Sequence, residues 1–214
     1  MKSEYWKVPE MWKGEIVYIL GGAPSLLDEK LELIEDKKVI GVNCAFLLGD
    51  WVDIVWFGDP PWFDWNEEKL AEFGGLKACC CEKMRFDQPA IKVLERGKKM
   101  GLEDGKNYRT RISWNWSSGG SAVNLATLLG ASKVVLLGFD MKPDDKGRNW
   151  WHNLHKNKLD LSVRDPYPRY VESFEFIAED AKKLGIEIVN SSMDSIIPVK
   201  WIPKRPLEEV VSEV

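Results

Sequence analysis

Histidine is almost missing from this sequence, with 2 residues against 30 Lys and Arg and 34 Asp and Glu. Two imidazoles alone are a poor metal site without a further nitrogen, sulfur or carboxylate ligand. Cysteine is also sparse, with 4 residues, and three of them, Cys79, Cys80 and Cys81, are consecutive. Neighbours in an extended chain point to opposite faces, so this run is neither a disulfide framework nor a zinc spacing. It reads as small apolar residues in or beside a strand. No apolar run approaches the ~20 residues that span a bilayer. The opening residues, Met1 to Trp6, have no apolar signal core, and a cytoplasmic location is the expectation. A surplus of positive charge is also absent. The net charge is −4, which gives no general attraction for nucleic acid or anionic lipid, so nucleic acid is disfavoured as a partner.

What is present is tryptophan. The 214 residues hold 11 of them. A buried indole wants a partner for its N–H, so this surplus needs a reason. The length suits one domain with a well-buried core. Residues 1–202 are expected to form a single α/β domain and residues 203–214, basic and then acidic, a flexible tail.

Short apolar runs alternate with helical rhythms. Strands are expected at 15–20, 38–42, 53–57, 76–80, 108–112, 133–137 and 186–189. Helices are expected at 25–35, from Pro60 to Phe73, at 89–96, at 121–129 and at 169–184. Ser25 and Asp28 form an S-x-x-D start that suits a capping box. Residues 141–168 form a long polar segment after the Gly138-Phe139-Asp140 strand end, and loops of this length are often functional. The predicted fold is α/β and Rossmann-like, a mainly parallel sheet with helices on both faces and a long functional loop. Ligands of such folds sit beyond the carboxyl ends of the strands, so the strand-to-helix junctions carry the chemistry.

The first junction is Gly21-Gly22-Ala23-Pro24-Ser25. Its glycines allow a tight turn and close approach of a ligand, and the next helix offers free N–H groups to an anion. The spacing matches neither the dinucleotide fingerprint nor the P-loop, and an ordinary tight turn is the alternative. The second, Ser117-Ser118-Gly119-Gly120-Ser121, again sets hydroxyls and N–H groups at a helix start. It suits a phosphate, a ribose or a carboxylate, or serves as a plain N-cap. Asp59 and Asp140 each follow a strand and a glycine. They can hold Mg²⁺, bind a ribose hydroxyl, orient a base, or simply form turns. Asn43 follows the second strand, and its amide can both donate and accept. His152 and His155 lie in the long loop and are the natural acid/base candidates at neutral pH. Arg148 can neutralise phosphates, with Tyr167 and Tyr170 as hydroxyl donors. Eight tryptophans (51, 56, 62, 65, 114, 116, 150 and 151) flank these junctions, which predicts aromatic walls around a cleft.

The order of GGAPSL (21–26), VNCAF (42–46) and SSGGSAVNLATLLGASKVVLLGFDM (117–141) resembles the bacterial lipooligosaccharide sialyltransferases. It is also similar to the archaeal-type 6-hydroxymethylpterin pyrophosphokinases and their phage-borne relatives. The resemblance spans about residues 15–198. It implies a Rossmann-like domain that binds a nucleotide-activated donor. In that pattern Gly21, Gly22 and Ser25, with Pro24 in the same turn, would approach phosphates or ribose, and Asn43 would contact the nucleotide. Ser118, Gly119 and Gly120 would hold the transferred group or its carboxylate, and Asp140 would sit near the base or ribose. The sialyltransferases place a histidine shortly before the last long helix, where this chain reads Asp165-Pro166-Tyr167-Pro168-Arg169-Tyr170. Here His152 or His155 would stand in.

The favoured functional reading is a transferase of glycosyltransferase type. It would take a nucleotide-sugar donor and an acceptor hydroxyl activated by a loop histidine, and would need no firm cofactor. One alternative is an Mg²⁺-dependent ATP pyrophosphokinase acting on a pterin-like or nucleoside acceptor, with Asp59 and Asp140 on the metal. Another is a non-catalytic nucleotide-binding or interaction module. The sequence is compatible with an oligomer.

Overall fold

The computed structural model describes residues 4–154 and 165–213. In chain order the strands are β1 (Ile16–Leu20), β2 (Lys38–Val42), β3 (Ile54–Phe57), β4 (Leu76–Cys79), β5 (Lys92–Val93), β6 (Glu95–Gly97), β7 (Arg111–Ser113), β8 (Lys133–Leu137) and β9 (Glu187–Asn190). The α-helices are α1 (Pro60–Glu72), α2 (Met84–Asp87), α3 (Ser118–Leu129), α4 (Tyr167–Leu184) and α5 (Leu207–Val211). Seven strands form one parallel sheet in the order β5-β4-β3-β2-β1-β8-β9, and β6 pairs with β7 beside it. The α/β Rossmann-like architecture expected from the alternating pattern is the one observed.

Both faces of the sheet are covered, which is why its strands read as nearly continuous apolar runs. Val17, Ile19, Ile40, Ile54, Trp56, Val134 and Leu136 bury one face in the same core as α3 and α4. Tyr18, Leu20, Val39, Val55, Phe57, Val135 and Leu137 bury the other with α1, α5 and two 3₁₀ segments. The cysteine run obeys the same alternation. Cys79 and Cys81 join the second core and Cys80 the first, all reduced and buried. Among the described residues no helix is long and apolar enough to cross a membrane.

Three expectations change. The helix expected at 25–35 is instead a pair of 3₁₀ turns, Pro24–Asp28 and Leu31–Leu33, with extended backbone at Glu29 between them. Within 25–35 only Leu26 and Ile34 are fully buried, too few to hold a regular amphipathic face. The expected capping box does not form, and Ser25 has a partner elsewhere. The helix expected at 89–96 gives way to β5 and β6, because Val93 pairs at the sheet edge with Cys79. A short apolar run does not separate the two states by periodicity alone. Of the segment 203–214, expected as a flexible tail, residues 203–213 are docked. Leu207 and Val210 are fully buried, Lys204 bridges to Asn190, and Glu213 pairs with Lys133 at 3.0 Å and with Arg205.

Candidate active site

The chain runs from β1 outward to β5 and then returns to place β8 on the other side of β1. This reversal is the switch point at which open α/β sheets bind ligands. A cleft of about 970 Å³ opens there, beyond the carboxyl ends of the strands.

Its floor is the first glycine turn. The Gly21 N–H donates to the Leu137 carbonyl at 2.7 Å, and the Ala23 N–H to the Gly138 carbonyl at 3.1 Å. A Cβ on Gly21 would lie 2.3 Å from the Gly138 oxygen, so only glycine lets β1 and β8 close together. Opposite lies the start of α3. Ser117 is its N-cap and accepts the Gly120 N–H at 2.9 Å. Ser118 and Gly119 line the cleft beside it. Asn43, at the end of β2, lines the cleft between these two turns and Asp59.

Three polar atoms of cleft-lining residues, Asn43 Oδ1, Ser118 Oγ and Trp151 Nε1, are buried without a hydrogen-bond partner among the described residues. Most buried polar groups are satisfied, so such atoms at a cleft mark a place for a ligand. Backbone strain points to the same place. Among the described residues the non-glycine positions at positive φ are Asn43 (52°), Asn115 (53°), Trp116 (58°) and Met141 (58°). Asn43, Trp116 and Met141 line the cleft, and Asn115 adjoins it in sequence. Strained conformations of this kind gather at functional sites.

The walls are aromatic, as the sequence predicted. Trp62, Trp65, Trp114, Trp116, Trp150 and Trp151 line the cleft. Trp56 does not. It is fully buried and its indole N–H donates to Ser121 Oγ at 2.9 Å. Trp150 and Trp151 are brought in by the Trp151 N–H, which donates to the Gly22 carbonyl at 3.0 Å. His152 follows them into the lining, with its ring edge-on to Trp151 at 4.9 Å. Its Nδ1 accepts the Leu154 N–H at 3.3 Å. The Tyr167 hydroxyl donates to Asn149 Oδ1 at 2.6 Å and ties this loop to the start of α4. Burial, then the negative charge of Asp165, pushes the Tyr167 phenol up to about 12, so it remains a proton donor at neutral pH.

The two carboxylates have different surroundings. Asp59 opens to solvent through the cleft, yet desolvation by the surrounding walls raises its carboxyl, while Arg96 and Arg169 pull it back. Asp140 is buried and does not line the cleft; Ser25 Oγ–H donates to its Oδ1 at 2.5 Å. Desolvation raises this carboxyl too, and the hydrogen bonds from Ser25 lower it. In the Mg²⁺ alternative these two carboxylates would share the metal; here their surroundings differ. One carboxylate lies near two guanidinium groups and the other is engaged by a hydroxyl. No group of three or more metal-ligating side chains occurs among the described residues.

Gly21, Gly22, Asn43, Asp59, Ser118, Gly119, His152, Tyr167 and Tyr170 are thus brought together. Pro24 is buried in its 3₁₀ turn, Gly120 packs against Asn115, and Arg148 pairs with Asp144 at 2.6 Å. His155 lies outside the described residues. Sequence reasoning missed Arg96 and Lys142, both in the lining. Arg96 stands in β6, read as helix, so its position at the strand ends had no sequence signal. Its guanidinium lies 4.0 Å from the Trp114 ring centre and donates to the carbonyls of Gly58 and Cys80.

Comparison with solved structures identifies the fold. The chain is similar to the sialyltransferase CstII from Campylobacter jejuni in complex with a substrate analogue, cytidine-5′-monophosphate. That match has a TM-score of 0.60 and 17% identity, over 91% of this chain and 86% of that one. CST-II in complex with a trisaccharide acceptor and CMP matches with a TM-score of 0.56 and 16% identity, over 90% and 86%. The MAf glycosyltransferase from Magnetospirillum magneticum AMB-1 matches with a TM-score of 0.65 and 13% identity. All of this chain is covered but only 37% of that protein. No protein-family model and no curated sequence matches. The chain therefore has the Rossmann-like fold found in these glycosyltransferases.

Proposed function

We propose that this protein transfers a sugar from a nucleotide-activated donor to an acceptor hydroxyl. The observation that carries the reading is the set of buried, unpartnered polar atoms, Asn43 Oδ1, Ser118 Oγ and Trp151 Nε1, in the lining of a cleft at the switch point. The glycosyltransferase neighbours support it. A nucleotide would supply the missing partners through its hydroxyls and its amino or imino hydrogens. Its phosphate would lie between the Gly21-Gly22 turn and the first N–H groups of α3, where the helix end is partly positive. Lys142 would add positive charge at the departing phosphate.

In the transfer, a bond forms between the acceptor oxygen and the anomeric carbon. The bond from that carbon to the phosphate oxygen breaks, and the acceptor proton passes to a base. Asp59 suits the base, since its raised carboxyl opens into the cleft. A neutral His152 accepts at Nδ1 and so carries its proton on Nε2, which suits donation to the leaving phosphate.

A panel of CMP, UMP, GMP, AMP and their sugar conjugates tests this. At least one nucleotide should raise Tm, corresponding to about 2.7 kcal/mol at a hundredfold excess over Kd. Asp59→Asn should keep nucleotide binding and lose most transfer activity. If no nucleotide shifts Tm the reading is wrong, and binding without donor turnover would reduce the protein to a binding module.

A further inference from the structure

We infer that Trp116, presented with Arg169, is the platform for the acceptor's sugar ring. This rests on the proposed function and assigns one wall of that cleft. Trp116 is a bulky residue at φ 58°, directly after Asn115 at 53°. Large side chains rarely adopt this conformation, and the surrounding structure must enforce it. Here it does so from both sides. Asn115, only 1% exposed, accepts the Gly101 N–H at 2.8 Å and donates to the carbonyls of Gly101, Ser113 and Gly120. On the other side, Ser117 is fixed as the N-cap of α3.

The strain does not serve packing. The Trp116 residue is 51% exposed, so the fold holds an awkward backbone in order to display an indole at the cleft mouth. Arg169 stands beside it, 5.9 Å from the indole ring centre, with no ion pair among the described residues. A flat apolar ring beside a guanidinium that also lies 5.3 Å from the Tyr170 ring centre fits a pyranose. The sugar's C–H face lies on the indole, and its hydroxyls or an acidic substituent meet the guanidinium. The phosphate-binding turns are lined by glycine and serine, and Trp116 opens to solvent. This favours the acceptor over the nucleotide as its partner. A nucleobase would stack on an indole equally well, so the two must be separated by measurement.

The test uses the full chain with the nucleotide sugar that gives the largest Tm shift. Transfer to methyl β-galactoside, methyl β-glucoside and methyl β-glucuronide is compared with donor loss to water. Trp116→Gly removes the indole and relaxes the backbone, which guards against misfolding. Trp116→Phe keeps a smaller platform. The expected result is a tenfold or greater fall in the transfer-to-hydrolysis ratio for Trp116→Gly, with a smaller fall for Trp116→Phe. Nucleotide Kd by calorimetry should stay within twofold. A tenfold loss of nucleotide affinity would reassign the indole to the base and overturn the inference. So would an unchanged ratio, or a wild-type protein that hydrolyses donor but transfers to none of the pyranosides. A wild-type protein that binds no nucleotide would instead remove the proposed function, and this assignment with it.

Discussion

In the proposed function Ser118 would serve a ligand at the fold's expense. Its buried hydroxyl has no partner among the described residues, and such a group costs about 1–3 kcal/mol. Ser118→Ala should therefore melt at or above the wild-type temperature while binding nucleotide about tenfold more weakly; calorimetry and a thermal melt read the two effects separately. Glu29 shows a different strain. Burial first, and then the charges of Glu208, Asp140 and Asp28, push its carboxyl from 4.5 to about 7. The folded state then holds a proton that the unfolded chain has released. Its contribution is intact below pH 4.5 and is lost as pH rises towards 7. Glu29→Gln keeps the neutral form at every pH. It should raise Tm relative to wild type at pH 8 and leave it unchanged at pH 4. Equal differences at both pH values would contradict this account. Of these two residues, Ser118 was legible in the sequence from its place in a Ser-Gly helix start. Glu29 was not, because Glu208 of α5 and Asp140 beyond β8, which act on it, are far away in the chain.

At the scale of elements, the strands were legible because each is short, apolar and bounded by glycine or polar residues. The turn after β1 was legible too, but the reason for its glycine was not. Gly21 is required by the approach of the Gly138 carbonyl, 117 residues later, at the point where β1 and β8 lie side by side. Gly21→Ala should lower stability by about 1–3 kcal/mol, as overpacking does, since the obstructing atom is backbone and cannot rotate away. A urea melt with a lowered midpoint and unchanged slope is the expected result. Elements read wrongly share one cause: their state depends on what they pack against. Residues 25–35 lack enough core contact for an α-helix, and residues 92–97 find strand partners in β4 and β7. Ser25, assigned to a local cap, instead spans the turn to Asp140 because both follow neighbouring strands.

Across the whole molecule, the C-terminal segment closes one face of the sheet. Leu207 and Val210 join the core with Tyr18, Val39 and Val189. Leu207→Ala should cost about 2–5 kcal/mol, the usual loss for a buried leucine. An effect below 1 kcal/mol in a denaturant melt would show the segment to be dispensable. The sequence by itself determined the class of fold, the junctions that carry the site and the aromatic character of its walls. These follow from local pattern, since alternation of strands and helices forces a parallel sheet and puts the junctions at its carboxyl edge. Only the tertiary structure decided which junctions converge, that Asp140 faces Ser25 rather than the cleft, and that Arg96 and Arg169 flank Asp59. Those outcomes depend on strand order, and strand order is set by how distant segments share one core.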